Sequence, residues 1–544
     1  MRPRRGQPRE RGLGAGGLAR ALAWVAVAAA SGCVDRLALE GRACPCLPGW
    51  SCDPASQRCA RVLPRGELGP PVVEAAFGRE ARIDATDGPR RDERVDGPRP
   101  DRPALLPDGG PDGPRRAALF VSAQTGDDRT GDGSRAAPWR TIGHALLQRT
   151  SEPELVVLAG TYRECVVLQQ SHQGLTLRGE SVAATILDGT GCAHTVRVST
   201  GVDRTLLLTG FTIRNGNGVD LCGGGLLIAD EASPTVEGNL VRENFATTGG
   251  GICVGKRSNA LVRRNQILAN QSRYGGAGIY LDEGATAVVE SNVIGENVNS
   301  EYWGGGVSCK RCQAIVRGNT LRGNRTGASS VGRGGGLSCD EGAPTVQNNL
   351  IVGNSATAYY GGGNAGGYGG GIYVGGFIYA ATPTVTNNTL VDNAADFGGG
   401  LAYGTADGFY ERAAGELQSN IIAESRRGAA GAGGEAIYVG NATSNRPLVD
   451  FNLYWANAGG SYGGWAQTHA QVGTHNLTAD PRFVVGPLGG YYLSQTAAGQ
   501  PQPSPAVDAG HALATVLGLA AAHTRSDQVT DTGVVDLGFH YGAP

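Results

Sequence analysis

The chain has 544 residues and 89 glycines, close to one residue in six, against a usual share of roughly 7%. This surplus lacks the Gly-X-Y period of collagen, and glycine costs about 1 kcal/mol per helix position relative to Ala, so a collagen helix and a mostly α-helical protein are both excluded. With 40% hydrophobic residues the chain can bury a sizeable core, and a net charge of -2 without a basic stripe excludes nucleic acid as the expected partner.

Residues 1–32 read as an export signal. Arg2, Arg4, Arg5, Arg9, Arg11 and Arg20 make a positive start, and residues 21–30 are apolar but too few to span a bilayer. The stretch ends in Ala30-Ser31-Gly32-Cys33, which resembles a bacterial lipobox. That resemblance implies a lipidated N-terminus at Cys33 and a membrane reached through this anchor. Val34 in place of Asp implies sorting to the outer membrane or cell surface.

Residues 33–60 hold Cys44, Cys46, Cys52 and Cys59. In a cytosolic protein such a cluster would suggest zinc. In an exported one it is expected to form two disulfides, with three pairings open, as a small Cys-rich module. Residues 61–116 lose all periodicity and repeat Asp-Gly-Pro at Asp87, Asp96 and Asp112 among scattered Arg and Asp. This is a disordered tether reaching roughly 40 Å as a coil and about 170 Å when extended.

From residue 117 two signatures alternate. The first is Gly-Gly-Gly before an apolar strand, beginning at Gly223, Gly249, Gly304, Gly334, Gly369 and Gly398, with a variant at Gly275-Gly276-Ala277-Gly278. The second is a pair of asparagines five residues apart: Asn239/Asn244, Asn265/Asn270, Asn292/Asn297, Asn319/Asn324, Asn349/Asn354, Asn388/Asn393 and Asn452/Asn457. From Asn239 to Asn349 the first members are 26, 27, 27 and 30 residues apart. A unit of this size cannot bury its apolar residues alone, so the units must stack. Three short strands per unit, joined at Gly and Asn corners, predict an all-β parallel solenoid over 117–455 with an N-terminal cap. Residues 456–544 are expected to be its last coils and cap. About ten to twelve coils spaced by ~4.8 Å would give a length of about 50 Å.

These residues resemble the right-handed parallel β-helix, pectin-lyase-like superfamily. Phe120-Val121-Ser122 and Pro138-Trp139-Arg140-Thr141-Ile142 resemble its opening strand and capping helix. Asp480-Pro481-Arg482-Phe483, the run from Ser504 to Gly510, and Asp536-Leu537-Gly538 resemble the tail of bacterial secreted members. The Asn244-Phe245-Ala246-Thr247-Thr248-Gly249 pattern also resembles polymorphic outer-membrane protein repeats.

Aligned coil by coil, one position reads Asp230-Glu231, Lys256-Arg257, Asp282-Glu283, Lys310-Arg311 and Asp340-Glu341, and it holds both lysines of the chain. Two readings are open: an ion-pair ladder that fixes coil register, or a catalytic lysine beside a carboxylate site. Flanking carboxylates favour a charged ammonium, the wrong form for a general base, so the structural reading is preferred and no metal or cofactor is expected. Cys309 and Cys339 immediately precede the ladder on neighbouring coils and fall within disulfide reach, although Cys312 competes for Cys309. Cys165 and Cys192, one coil apart, form another candidate bridge. Tyr274, Trp303, Tyr368 and Phe397 stand before the Gly runs, with Tyr359 and Tyr360 near an insertion. Such a row either stacks internally or presents aromatic faces to sugar rings.

The Gly-His-Gly and Arg-Ile-Lys of polygalacturonases, the Trp-x-Asp-His and Arg-x-Pro-x-x-Arg of pectate lyases and the Asp-Pro-His-Glu of alginate epimerases are missing, and no His lies between His194 and His469. The sequence therefore predicts an envelope lipoprotein that displays a β-helix to bind polysaccharide or other envelope components. A polysaccharide lyase or hydrolase with a divergent site is the alternative.

Overall fold

The structure, a computed structural model, describes residues 118–542 apart from 328, 359–365, 408–411, 429–432 and 442, together with the backbone of residues 50–53 and 58–61. Cys33, Cys44, Cys46, the export signal and the tether lie outside the described residues. In the N-terminal unit, Trp50–Asp53 and Arg58–Arg61 pair as an antiparallel hairpin that sets Cys52 opposite Cys59.

In the second unit, short strands return to the same edge once per coil and pair in parallel with the coils before and after. Sheet A has 13 strands, from Leu119–Val121 to Gln471–Val472, and sheet B has 12, from Gly160–Tyr162 to Leu477–Thr478. Sheet D has 11, from Val166–Leu168 to Tyr462–Gly464. One coil runs through Thr235–Glu237 in A, Leu240–Arg242 in B, Phe245–Thr248 and Ile252–Val254 in D before Leu261–Arg263 opens the next. The segment Phe245–Thr248 belongs to a fourth sheet, C, of 8 strands that the repeat spacing does not announce. Its residues, such as Gln271 and Ser272, have little strand propensity of their own and are held in line by their in-register neighbours Phe245 and Ala246.

The core is a set of columns. The middle residue of each sheet A strand points inward, giving Val236, Val262, Val289, Val316 and Val346, all essentially inaccessible. In sheet B the column is Ile213, Val241, Ile267, Ile294, Leu321 and Ile351. Sheet D turns the first and third residues inward, as with Ile252 and Val254. β-branched side chains suit this pleated, one-sided burial.

Two buried asparagine ladders set the corners. Between sheets A and B, Asn265 donates its backbone N–H (2.9 Å) and its Nδ2 (3.1 Å) to Asn292 Oδ1 on the next coil. The rungs continue through Asn319, Asn349, Asn388, Asn420, Asn452 and Asn476. Between sheets B and C, a second ladder joins Asn244, Asn270, Asn297, Asn324, Asn354 and Asn393. The strained residue is the one before each rung. It is left-handed even where it is Glu243 (φ 56°), Arg264 (φ 53°) or Phe451 (φ 56°), so the amide rather than a permissive residue type secures the turn.

The Gly triplets close the same corner from the other side. The first glycine turns the chain, as at Gly249 (φ 61°). The third has no room for a side chain: a Cβ on Gly251 would sit 2.6 Å from Gly278 O and 3.0 Å from Asn270 Nδ2. The two sequence signatures are therefore one packing unit.

At the N-terminal end, the helix Ile142–Gln148 lays Ile142, Ala145 and Leu146 over the first coil and covers the open core. Both oxygens of Glu164 accept its first amides, from Ile142 (3.0 Å) and Gly143 (2.9 Å). After the last coil, the chain runs back along the outside of sheet B. Leu493, Ala506 and Leu537 pack on Val391, Ile421, Ala423 and Leu453, and Asn348 exchanges two hydrogen bonds with the His540 backbone.

Asn297→Ala removes the acceptor of two Asn270 N–H groups and the donor to Ile267 O and Asn324 Oδ1. Leaving these groups buried and unsatisfied should cost on the order of 3 kcal/mol or more, read as a lower urea midpoint.

Candidate binding site on the sheet C–D edge

The ten ladder residues lie at the corner where sheet D ends. The second member of most pairs is left-handed, including Glu231 (φ 63°), Arg257 (φ 55°), Arg311 (φ 53°) and Glu341 (φ 61°); Glu231 and Arg257 are exposed, whereas Glu341 is buried. Arg257 meets Glu231 at 2.7 Å, Lys256 meets Glu283 at 3.6 Å, and Arg311 reaches Glu283 at 3.7 Å and Glu341 at 2.6 Å. Asp230 instead accepts the backbone N–H of Lys256 at 2.9 Å. The exposed pairs among these contribute about 0–1 kcal/mol each.

Sheet A carries a second alternating ladder that the sequence reading missed. Its outer column places Glu237, Arg263, Glu290 and Arg317 in register. Arg263 pairs with Glu237 at 2.7 Å and Arg317 with Glu290 at 2.8 Å. Single charges inside three-residue strands leave no local motif. Only the coil-to-coil alignment of strand third positions would have exposed them.

The first ladder changes character where Lys310 and Asp340 stand in register. Asp340 is 6% exposed, and burial pushes its carboxyl up to about 6 despite the nearby Lys310. For the adjacent Glu341, burial opposes ionisation, but Arg311 Nε (2.6 Å) and the amides of Ile378 (2.6 Å) and Tyr379 (2.9 Å) outweigh it and hold the carboxyl below the ordinary range. Two consecutive carboxyls are thus driven in opposite directions by their surroundings.

Lys310 Nζ lies 5.8 Å from the centroid of the Trp303 ring. Trp303 belongs to a register column in which Gly275, Trp303, Arg333, Tyr368 and Phe397 bridge successive coils. The candidate aromatics divide here. Tyr368 is buried, stacks on Phe397 at 4.7 Å and packs with Tyr438, so this part of the row is internal. Tyr274 and Trp303 are half-buried, and Tyr302, unremarked in the sequence, links them: it stacks on Tyr274 at 6.3 Å and lies 5.1 Å from Trp303. Arg273 covers Tyr274 at 4.8 Å and Arg333 covers Tyr302 at 6.0 Å. Trp303 Nε1 has no hydrogen-bond partner among the described residues. Tyr359 and Tyr360 lie outside the described residues.

Cys165 bridges Cys192, and Cys222 bridges Cys253, each tying adjacent coils. The cross-coil bond between Cys309 and Cys339 is not formed. Arg311, left-handed, turns the chain back so that Cys312 meets Cys309 with their Cα atoms 5.4 Å apart. Cys339 remains a buried thiol, and burial raises its pKa well above the ordinary range, which makes it unreactive.

One further cluster has no counterpart in the sequence reading. Asp508, Asp531 and Asp536 bring carboxylate oxygens within 4.8 Å of one another, the spacing a cation could bridge. The two buried members are already engaged: His540 Nε2 (2.9 Å) and the Asp536 amide (2.9 Å) reach Asp531, while Thr524, Gln495 and the Asp508 amide reach Asp536. The cluster buckles the returning C-terminal chain.

Residues 196–390 match the family model described as a right handed beta helix region. No curated protein matches the chain. Among solved structures, the complex of XylC with xylose is 11% identical and covers 77% of this chain and 98% of its own, with a TM-score of 0.41. The pectate lyase Pel9A is 11% identical over 77% of this chain and 95% of its own, with a TM-score of 0.37. The catalytic unit of a GH87 α-1,3-glucanase from Streptomyces thermodiastaticus is 13% identical over 68% and 70%, with a TM-score of 0.35. The fold of this chain is a right-handed parallel β-helix.

Because the folded Asp340 pKa is raised from 3.8 to about 6, its contribution to stability is complete below the unfolded value and is lost as the pH rises through about 6. Between about pH 4 and pH 7 the wild type should lose about 2–3 kcal/mol more unfolding free energy than Asp340→Asn, measured by urea titration at each pH.

Proposed function

We propose that the protein is an exported β-helix held at the bacterial cell envelope by a lipid on Cys33, where it binds glycans through the edge formed by Tyr274, Tyr302 and Trp303. The carrying observation is that these half-buried rings lie side by side across two coils with Arg273, Arg333 and Lys310 on their faces. Aromatic faces suit the C–H-rich faces of pyranose rings, and the flanking guanidinium and ammonium groups can donate to sugar hydroxyls or to acidic substituents. The three disulfides of the described residues fit a setting outside the cytoplasm. This reading requires no catalysis.

A polysaccharide lyase or hydrolase is the second reading, favoured by one observation. Asp340, with its carboxyl near 6 and Lys310 beside it, has the protonation behaviour that proton transfer at neutral pH uses.

Binding to an array of neutral and acidic glycans tests the first reading. Trp303→Ala should weaken the wild-type hits by roughly tenfold or more, with Trp303→Phe retaining part of the affinity. Unchanged binding in Trp303→Ala would rule out the aromatic edge. Turnover of any polysaccharide that is abolished by Asp340→Asn would establish the second reading instead.

A further inference from the structure

Several arginines of the helix have no ion-pair partner among the described residues, and two of them, Arg140 and Arg163, share one groove in its first coils. This groove, of about 510 Å³, lies beside the capping helix, lined by Arg140, Arg163, Arg214, Thr161, Tyr162 and Glu164 among others. Four carboxylates flank it, and each is engaged within the chain. Asp128 accepts the amides of Arg140 (2.7 Å) and Thr141 (3.0 Å), and Glu180 accepts from Arg135 (3.2 Å) and the Ala159 amide (3.1 Å). Glu164 spends both oxygens on the amides of Ile142 and Gly143. Asp188 accepts from Thr190 Oγ1 (2.6 Å), Thr190 N (3.2 Å), Asn215 Nδ2 (3.0 Å) and Arg214 Nη2 (3.1 Å). The side chains of Arg140 and Arg163 make no ion pair or hydrogen bond among the described residues, unlike the arginines of the two ladders. Arg214 Nε is buried and also has no partner there. The Tyr162 hydroxyl is occupied by Val121 O, Leu158 O and the Ala123 amide, so this side chain supplies a wall rather than a donor.

From these residues we infer a second binding site whose ligand carries a phosphate monoester. Two guanidinium groups without ion-pair partners present planar N–H forks that suit the terminal oxygens of such a group, which carries a charge of about -2 near neutral pH. Arg214 and Thr161 lie on the same wall. The volume falls in the range of about 300–1,000 Å³ typical of small-molecule sites, enough for the phosphate and the sugar or headgroup that bears it. The returning C-terminal chain covers later strands of sheet B, around Val391, Ile421 and Leu453, and leaves this end open. The site neither contains nor requires the aromatic edge around Trp303.

Isothermal titration of the full chain with inorganic phosphate, glucose 6-phosphate and glucose tests the inference, alongside sedimentation with phosphatidylcholine vesicles with and without phosphatidic acid. Saturable binding of glucose 6-phosphate but not glucose is expected. Inorganic phosphate that binds as well identifies the free ion as sufficient, and selective capture by phosphatidic acid vesicles identifies a lipid source. The Arg140→Ala/Arg163→Ala double variant should weaken whichever probe binds by roughly tenfold or more, whereas Arg325→Ala, which removes an exposed charge from sheet C, should not. Melting temperatures confirm that both variants fold. The inference fails if no phosphate probe binds, if the double variant binds as the wild type does, or if galacturonate, with a single charge, binds as tightly as glucose 6-phosphate.

Discussion

The buried amide ladder is the constraint on which the rest of this structure rests. Each rung places an asparagine oxygen where it receives both the backbone and the side-chain N–H of the coil before it, as Asn292 does from Asn265. The rung therefore holds coil spacing and corner conformation at the same point. Its neighbour in sequence is forced into a left-handed conformation that Glu, Arg or Phe would not adopt unaided. A lost rung strands several buried polar groups, each costing about 1–3 kcal/mol, whereas a lost surface pair costs about 0–1 kcal/mol. The amides therefore hold the coils together far more strongly than the surface charges do.

What could be read from the sequence follows from how local each interaction is. The Gly triplets and paired asparagines alternate once per coil, because both pack into one corner, so their alternation revealed the coil. The Asp-Glu and Lys-Arg doublets were visible because each doublet is contiguous. Glu237, Arg263, Glu290 and Arg317 were not, since each stands alone in a strand and acquires meaning only beside its neighbour 26 or 27 residues away. Asn420 escaped notice because Ser425 stands where its partner asparagine would be. The shorter side chain interrupts the second ladder, leaving Ser425 Oγ without a partner among the described residues, and Asn457 resumes it.

Contacts made over long sequence distances were hidden altogether. The returning C-terminal chain docks on corner residues 149 and 192 positions earlier, through Asn387 with Asp536 O and Asn348 with His540 O. No period announces such pairs. The Cys309–Cys312 bond was similarly undecidable from spacing, because the stacked Cys339 and the nearby Cys312 both lie within reach. The left-handed turn at Arg311 settles it.

A solenoid built this way restricts where binding can occur. Its interior is filled by columns of Val, Ile and Leu, and its two charge ladders pair with the neighbouring coil. Chemistry is left to the departures from repetition. At Asp340 the alternation continues, but the carboxyl is buried and its ionisation is opposed by the surroundings. At Trp303 an aromatic column that is internal around Tyr368 becomes accessible. At Arg140 and Arg163 two guanidinium groups without ion-pair partners among the described residues share one groove. Each departure leaves a side chain whose interactions the repeat does not complete, and an external ligand can complete them without disturbing the amide ladders beneath.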